Sequence, residues 1–166
     1  MKTKKQKTAP GSFLESFAEE AGLNRIKNTD HPRLYYLCGA VTHDPHYRLK
    51  FNLAEKYLKS KGHQVVNCVR MEEHGKTWPE YLAADLRMLQ RLMTVYEQII
   101  MMVPDQGVPL PAIALIDPED RAFPSKGMEL EIAFAGHLLP TVKLSKEWNE
   151  LLTAAIEKVE KEGEKR

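Results

Sequence analysis

The chain has 166 residues, enough for one domain with a proper core. Its 24 Lys and Arg stand against 23 Asp and Glu, so no global field draws it to a nucleic-acid polymer or an anionic membrane. No apolar run approaches the ~20 residues of a membrane span and no signal-peptide core opens the chain, so the expectation is a cytoplasmic protein without a membrane partner.

Lys2, Lys4, Lys5 and Lys7 crowd the first residues and end at Pro10-Gly11, a basic flexible arm over 1–11. A solvated terminus is the ordinary reading of such an arm and an electrostatic tether the functional one. Ser12 with Glu15 forms a capping box that starts an amphipathic helix through about Leu23 or Ile26. Thr29-Asp30-His31-Pro32 then breaks the chain, which makes 12–32 an extra N-terminal helix and linker.

Arg33 to Cys38 reads as a buried strand, and Gly39 gives it a sharp exit. Tyr47 to Lys61 is helical, with Phe51, Ala54, Tyr57 and Leu58 on one face and Gly62 as its stop. Gln64 to Val69 is a second short strand. Thr77 precedes Trp78-Pro79-Glu80, a helix start with Pro in its first turn, and that helix is expected to run to about Leu92. Tyr96 to Val103 is apolar enough to read as a third strand buried on both faces.

The segment 104–124 carries Pro104, Pro109, Pro111, Pro118 and Pro124 and reads as a loop, within which Ala112 to Ile116 could add a strand. A helix opening at Ser125-Lys126-Gly127 follows, then a strand around Thr141 to Leu144 and an amphipathic helix from Ser145 to the end. Alternating strands and helices predict an α/β domain of Rossmann-like or flavodoxin-like type, a parallel sheet of four to five strands with helices on both faces. Ligands in such sheets bind beyond the carboxyl ends of the strands. Gly39 to Thr42, the region after Val69, the long loop and Ser125-Gly127 therefore collect around the candidate site.

Cys38 and Cys68 lie in apolar runs without paired spacing and read as reduced core thiols. His43-Asp44-Pro45-His46 has metal-ligating side chains, but a histidine-rich turn at a strand exit reads as plain loop, and no metal or cofactor is expected. Tyr36 is by default a core aromatic, yet its hydroxyl needs a partner near the ligand end. Asp85, in the apolar stretch Tyr81 to Leu86, is either a structural ion-pair member or a site group with a tuned pKa. Ser125 and Gly127 at a helix start make an anion site, because unpaired amides and the helix dipole point there. Glu129 and Glu131 are two helical steps apart, about 200°, so only one of them faces that site, and periodicity favours Glu131 slightly.

Three motifs together resemble the nucleoside 2-deoxyribosyltransferase superfamily, above all its 2′-deoxynucleoside 5′-monophosphate N-glycosidase branch and related small phage and bacterial domains of unknown function. Tyr35-Tyr36-Leu37-Cys38-Gly39-Ala40-Val41-Thr42 resembles the family's first strand and glycine turn. Trp78-Pro79-Glu80-Tyr81 with Asp85-Leu86 resembles its W-x-x-Y-x-x-x-D-L helix, and Ser125-x-Gly127 with Glu131 and Ala135 resembles its [DS]-x-G-x-x-x-E-x-G-x-A signature. The order and spacing fit over roughly residues 33–145, within a family-like domain spanning 33–166. Ala133 departs from the pattern, which has Gly there.

The resemblance implies Glu131 as the nucleophile, Asp85 as the general acid and Tyr36 as the hydrogen-bond partner of Glu131. Gly39, Ala40, Val41, Thr42, Ser125 and Gly127 would hold the substrate. Family transferases usually carry Asp at position 125 and the monophosphate glycosidases Ser, so Ser125 implies a nucleoside monophosphate ligand. The implied activity is hydrolysis of the base–sugar bond of such a nucleotide. Base exchange by a deoxyribosyltransferase and a non-catalytic nucleotide-binding module are the alternatives. The family's shared active sites imply a homodimer or higher homo-oligomer.

Overall fold

A computed structural model gives the structure of the protein and describes residues 32–71, 77–102, 108–118 and 125–163. The basic arm and the N-terminal helix expected over 12–32 lie outside these residues, apart from Pro32. The elements in chain order are β1 (Arg33–Cys38), α1 (Tyr47–Ser60), β2 (Gln64–Val66), a 3₁₀ turn (Cys68–Met71), α2 (Trp78–Met102), β3 (Leu110–Leu115), α3 (Lys126–Ala135), β4 (Thr141–Lys143) and α4 (Lys146–Gly163).

The four strands form one parallel sheet in the order β2-β1-β3-β4. Period-two alternation along β1 sends Tyr35 and Leu37 to one face and Tyr36 and Cys38 to the other. The first pair packs with Phe51, Ala54 and Leu58 of α1 and Trp148, Leu152 and Ile156 of α4. The second packs with Leu89, Leu92 and Tyr96 of α2 and Ala135 of α3. Helices therefore cover both faces, and the domain is the expected doubly wound α/β fold. Among the described residues no helix is long and apolar enough to cross a membrane.

The α1 boundary follows from backbone chemistry. Gly62 adopts φ +85°, a left-handed conformation that costs little only for glycine. The Gly62 amide bonds to the Lys59 carbonyl at 3.0 Å and the His63 amide to the Leu58 carbonyl at 3.1 Å. That pair of bonds is a Schellman closure, and it aims the chain straight into β2.

Two expectations are corrected. The strand expected over Gln64 to Val69 stops at Val66, and Cys68–Met71 is a 3₁₀ turn. Of the strand expected over Tyr96 to Val103, Tyr96 to Met102 is helix, because α2 runs unbroken for 25 residues to Met102, and Val103 lies outside the described residues. Tyr96 is buried, Glu97 and Gln98 are exposed, and Ile99 and Ile100 are half-buried, which is helical rather than alternating burial. Thr94 also bonds back to the Gln90 carbonyl at 3.0 Å, as a hydroxyl does inside a helix. The β-branched and aromatic content suggested a strand, but packing against the sheet decided the outcome.

The third strand is β3 (Leu110–Leu115), inside the proline-rich segment where the sequence allows a strand over Ala112 to Ile116, and it sits centrally between β1 and β4. Pro111 is tolerated there for a geometric reason. The Ile113 amide donates toward β4, to the Pro140 carbonyl at 2.8 Å, whereas the Ile116 amide donates toward β1, to the Cys38 carbonyl at 3.1 Å. By the same alternation position 111 would donate toward β4, but β4 pairs only from Ile113 onward. The missing proline N–H therefore breaks no ladder bond.

Candidate functional site

The chain leaves β1 for β2 on one side and returns to β3 on the other, so the strand order reverses between β1 and β3. Such a switch point opens a crevice beyond the strand ends. Here the ends are Cys38 and Leu115, which pair in register. A Cβ on Gly39 would lie 2.7 Å from Cγ1 of the fully buried Ile116, so only glycine lets the two strand exits approach this closely.

Behind the glycine turn lies a buried ionic cluster that the sequence reading missed. The Lys50 ammonium contacts the Asp117 carboxylate, Asp44 Oδ2 at 2.5 Å and the Ala40 carbonyl at 2.9 Å. Asp117 Oδ2 accepts the Ala40 amide at 2.7 Å, and Asp44 Oδ1 accepts the His46 amide at 2.8 Å. One lysine from α1 thus ties the exits of β1 and β3 together. His43, next to Asp44 in this turn, holds φ +67°. Only the spacing of Asp44 and Lys50 could have hinted at the cluster, since Asp117 lies far away in sequence.

On the other side of the turn is a cavity of about 170 Å³. Gly39, Val41 and Thr42 line it from the turn, Trp78, Tyr81 and Asp85 from α2, and Ser125, Gly127 and Glu131 from α3. Ala40 does not line it. Ala40 is fully buried and its amide belongs to Asp117, so the turn offers fewer amides than the sequence suggested. An outer recess of about 670 Å³ shares Thr42, Trp78, Ser125 and Gly127 with the cavity and adds His43, Lys126 and Glu129.

The two glutamates of α3 separate as helical geometry requires. Glu131 is buried, and Glu129 is exposed in the first turn. Oε1 of Glu131 accepts the Tyr36 hydroxyl at 3.0 Å, and Oε2 accepts the Cys38 thiol at 3.2 Å. Both donors come from one face of β1. Cys38 was read only as a core thiol, although its place two residues after Tyr36 puts it on the same face of the strand.

Burial pushes the Glu131 carboxyl up to about 7, the Asp85 charge and a hydrogen bond with Asp85 push it the same way, and the bonds from Cys38 and Tyr36 oppose them. Burial also raises the Tyr36 phenol and the Cys38 thiol, so both remain protonated donors at neutral pH. Glu131 and Asp85 therefore form a carboxyl pair at the cavity floor and wall.

Ser125 is the N-cap of α3, with φ −134° and its hydroxyl oxygen accepting the Met128 amide at 3.3 Å. Gly127 has room for a Cβ, the nearest atoms being Ser125 Oγ at 3.9 Å and Trp78 Nε1 at 4.0 Å. The glycine thus leaves open space at the helix start. Trp78 is 47% exposed at the head of α2, an indole face available at the cavity mouth. Ala133, the departure from the family pattern, points to solvent on this chain and takes no part in the cavity.

Fold and site together define a class: a doubly wound α/β domain whose switch-point cavity holds a carboxyl pair, buried Glu131 and half-buried Asp85, beneath a helix N-terminus. Within the chain, residues 33–103 match the sequence model of one family, the Domain of unknown function (DUF4406). That stretch runs from β1 to just past α2 and includes Tyr36, Cys38, the glycine turn, Lys50 and Asp85. Asp117, Ser125 and Glu131 lie beyond it. No curated protein and no solved structure matches the chain.

Proposed function

We propose that the protein hydrolyses the N-glycosidic bond of a 2′-deoxynucleoside 5′-monophosphate, with Glu131 as nucleophile. The observation that carries this reading is Glu131 itself, a buried carboxylate held by a donor on each oxygen and coupled to Asp85 in one cavity. The motif resemblance to nucleoside deoxyribosyltransferases supports the same assignment.

In the first step a Glu131 oxygen bonds to the anomeric carbon as the bond from that carbon to the base nitrogen breaks. Asp85 gives its proton to the departing base. In the second step water attacks the anomeric carbon, Asp85 takes back a proton, and the Glu131 carboxylate leaves. This is the two-step logic of retaining glycosidases, with an oxocarbenium-like transition state beside a fixed negative charge. The 5′-phosphate is assigned to the α3 N-terminus, where Ser125, Lys126 and the dipole favour an anion.

Incubation with a panel of deoxynucleoside monophosphates should release free base, and Glu131→Gln should abolish that release. Base exchange exceeding hydrolysis when a second base is supplied would instead establish a transferase. Thermal stabilisation by nucleotide without turnover would establish a binding module and overturn the enzymatic reading.

A further inference from the structure

We infer that Cys38 is a positioning residue for Glu131: its thiol holds Oε2 in line while leaving that oxygen the more nucleophilic of the two. The inference rests on the reading of Glu131 as nucleophile.

Tyr36 and Cys38 are both fully buried on the same face of β1 and divide the carboxylate between them. With a donor on each oxygen, the Glu131 carboxylate cannot rotate without breaking a bond. The two donors differ in strength. A phenol is a full hydroxyl donor, whereas a thiol is a weak one. Oε1 is therefore the more strongly tethered oxygen, and Oε2 keeps more of its electron density. A serine at position 38 would put a stronger donor on the same strand face and would quench the oxygen that must attack.

Among the described residues the groups acting on Glu131 are Tyr36 and Cys38 from β1 and Asp85 from α2; Cys68, from the turn after β2, lies within electrostatic range, and Asp117, just past the end of β3, acts on Cys38. No cation is among them, so the charge of Glu131 depends on these two donors. Burial keeps the Cys38 thiol protonated, so the weak donor is present throughout the neutral range.

The test uses full-length Cys38→Ser and Cys38→Ala, with thermal unfolding to confirm that each folds. The Glu131 carboxyl is titrated by its carbon-13 shift, assigned by comparison with Glu131→Gln. The serine variant should move the midpoint down by roughly half to one pH unit, and the alanine variant should move it up by a similar amount. On a cleaved deoxynucleotide, the serine variant should lose about tenfold in kcat with KM unchanged. Should the alanine variant not fold, the serine variant carries both measurements. An unmoved Glu131 midpoint in the serine variant, or a kcat equal to wild type, overturns the inference. If the midpoints shift as stated while the wild-type protein cleaves no deoxynucleotide, the donor assignment stands and the glycosidase reading fails.

Discussion

The Tyr36 hydroxyl donates to Glu131 Oε1 at 3.0 Å, joining the first strand to the third helix across 95 residues of sequence. This bond sets the direction of the buried carboxylate and offsets part of the desolvation that opposes its charge. Tyr36→Phe keeps the ring and removes only the donor. We expect kcat to fall about a hundredfold through misplacement of Glu131. The Glu131 midpoint should rise at the same time. A kcat within threefold of wild type would remove Tyr36 from the mechanism.

Glu131 also leaves a signature in stability. Its folded carboxyl titrates at about 7 against an ordinary value of 4.5. Between those pH values the folded protein holds a proton that the unfolded chain has already lost. Stability therefore falls as pH rises through that window and is level above it, by at most about 3 kcal/mol. Glu131→Gln should flatten this slope, and at pH 8 it should unfold at higher urea than wild type. Equal slopes for the two proteins would mean that Glu131 is not charged at a cost.

The same pair shapes the rate. The Asp85 charge contributes to raising Glu131, so the value of about 7 belongs to the last proton of the pair. Turnover needs Glu131 ionised and Asp85 protonated, which is one proton shared by two carboxyls. We expect kcat/KM to decline as pH rises through about 7. A rate that climbs steadily from pH 6 to 9 would exclude Asp85 as the acid.

Ser125 can be separated into cap and ligand roles. Asp is as good an N-cap as Ser, so Ser125→Asp should keep stability within about 0.5 kcal/mol. Its carboxylate would repel a 5′-phosphate, however, and should raise KM for the monophosphate by tenfold or more while sparing the nucleoside. Equal effects on both ligands would place the phosphate elsewhere.

Lys50 is only 2% exposed and neutralises two carboxylates that are equally sequestered. Lys50→Met would leave Asp44 and Asp117 facing each other without a cation. Removing one member of such a cluster should cost about 3–5 kcal/mol in urea unfolding. A loss below 1 kcal/mol would show that water reaches the cluster and that the glycine turn does not depend on it.

The legible parts of this chain were those governed by local rules. Gly62 ended α1 because a left-handed residue was needed, and Ser125 began α3 because an N-cap was needed. Asp85, Ser125 and Glu131 line one cavity, and Tyr36 reaches it through its bond to Glu131. What local rules could not show was partnership across the fold. Tyr96 to Ile100 has strand-forming residues, but only the sheet surface determines that they pack as a helix. Pro111 looks like a strand breaker until the length of β4 is known. Asp117 reads as a loop acid beside Pro118, and Lys50 as a surface lysine beside Phe51, because nothing in either neighbourhood names the other. Cys38 was hidden by the ordinary habit of cysteines to fill cores.

Pro111 has one more effect. Because β4 is short, the first half of β3 has no β4 residue beside it, yet Pro111 is fully buried there. An ordinary residue at that position would carry a buried amide with no strand to receive it, whereas a pyrrolidine nitrogen has no hydrogen to satisfy. Proline thus lets the sheet stop pairing inside the core without stranding a donor.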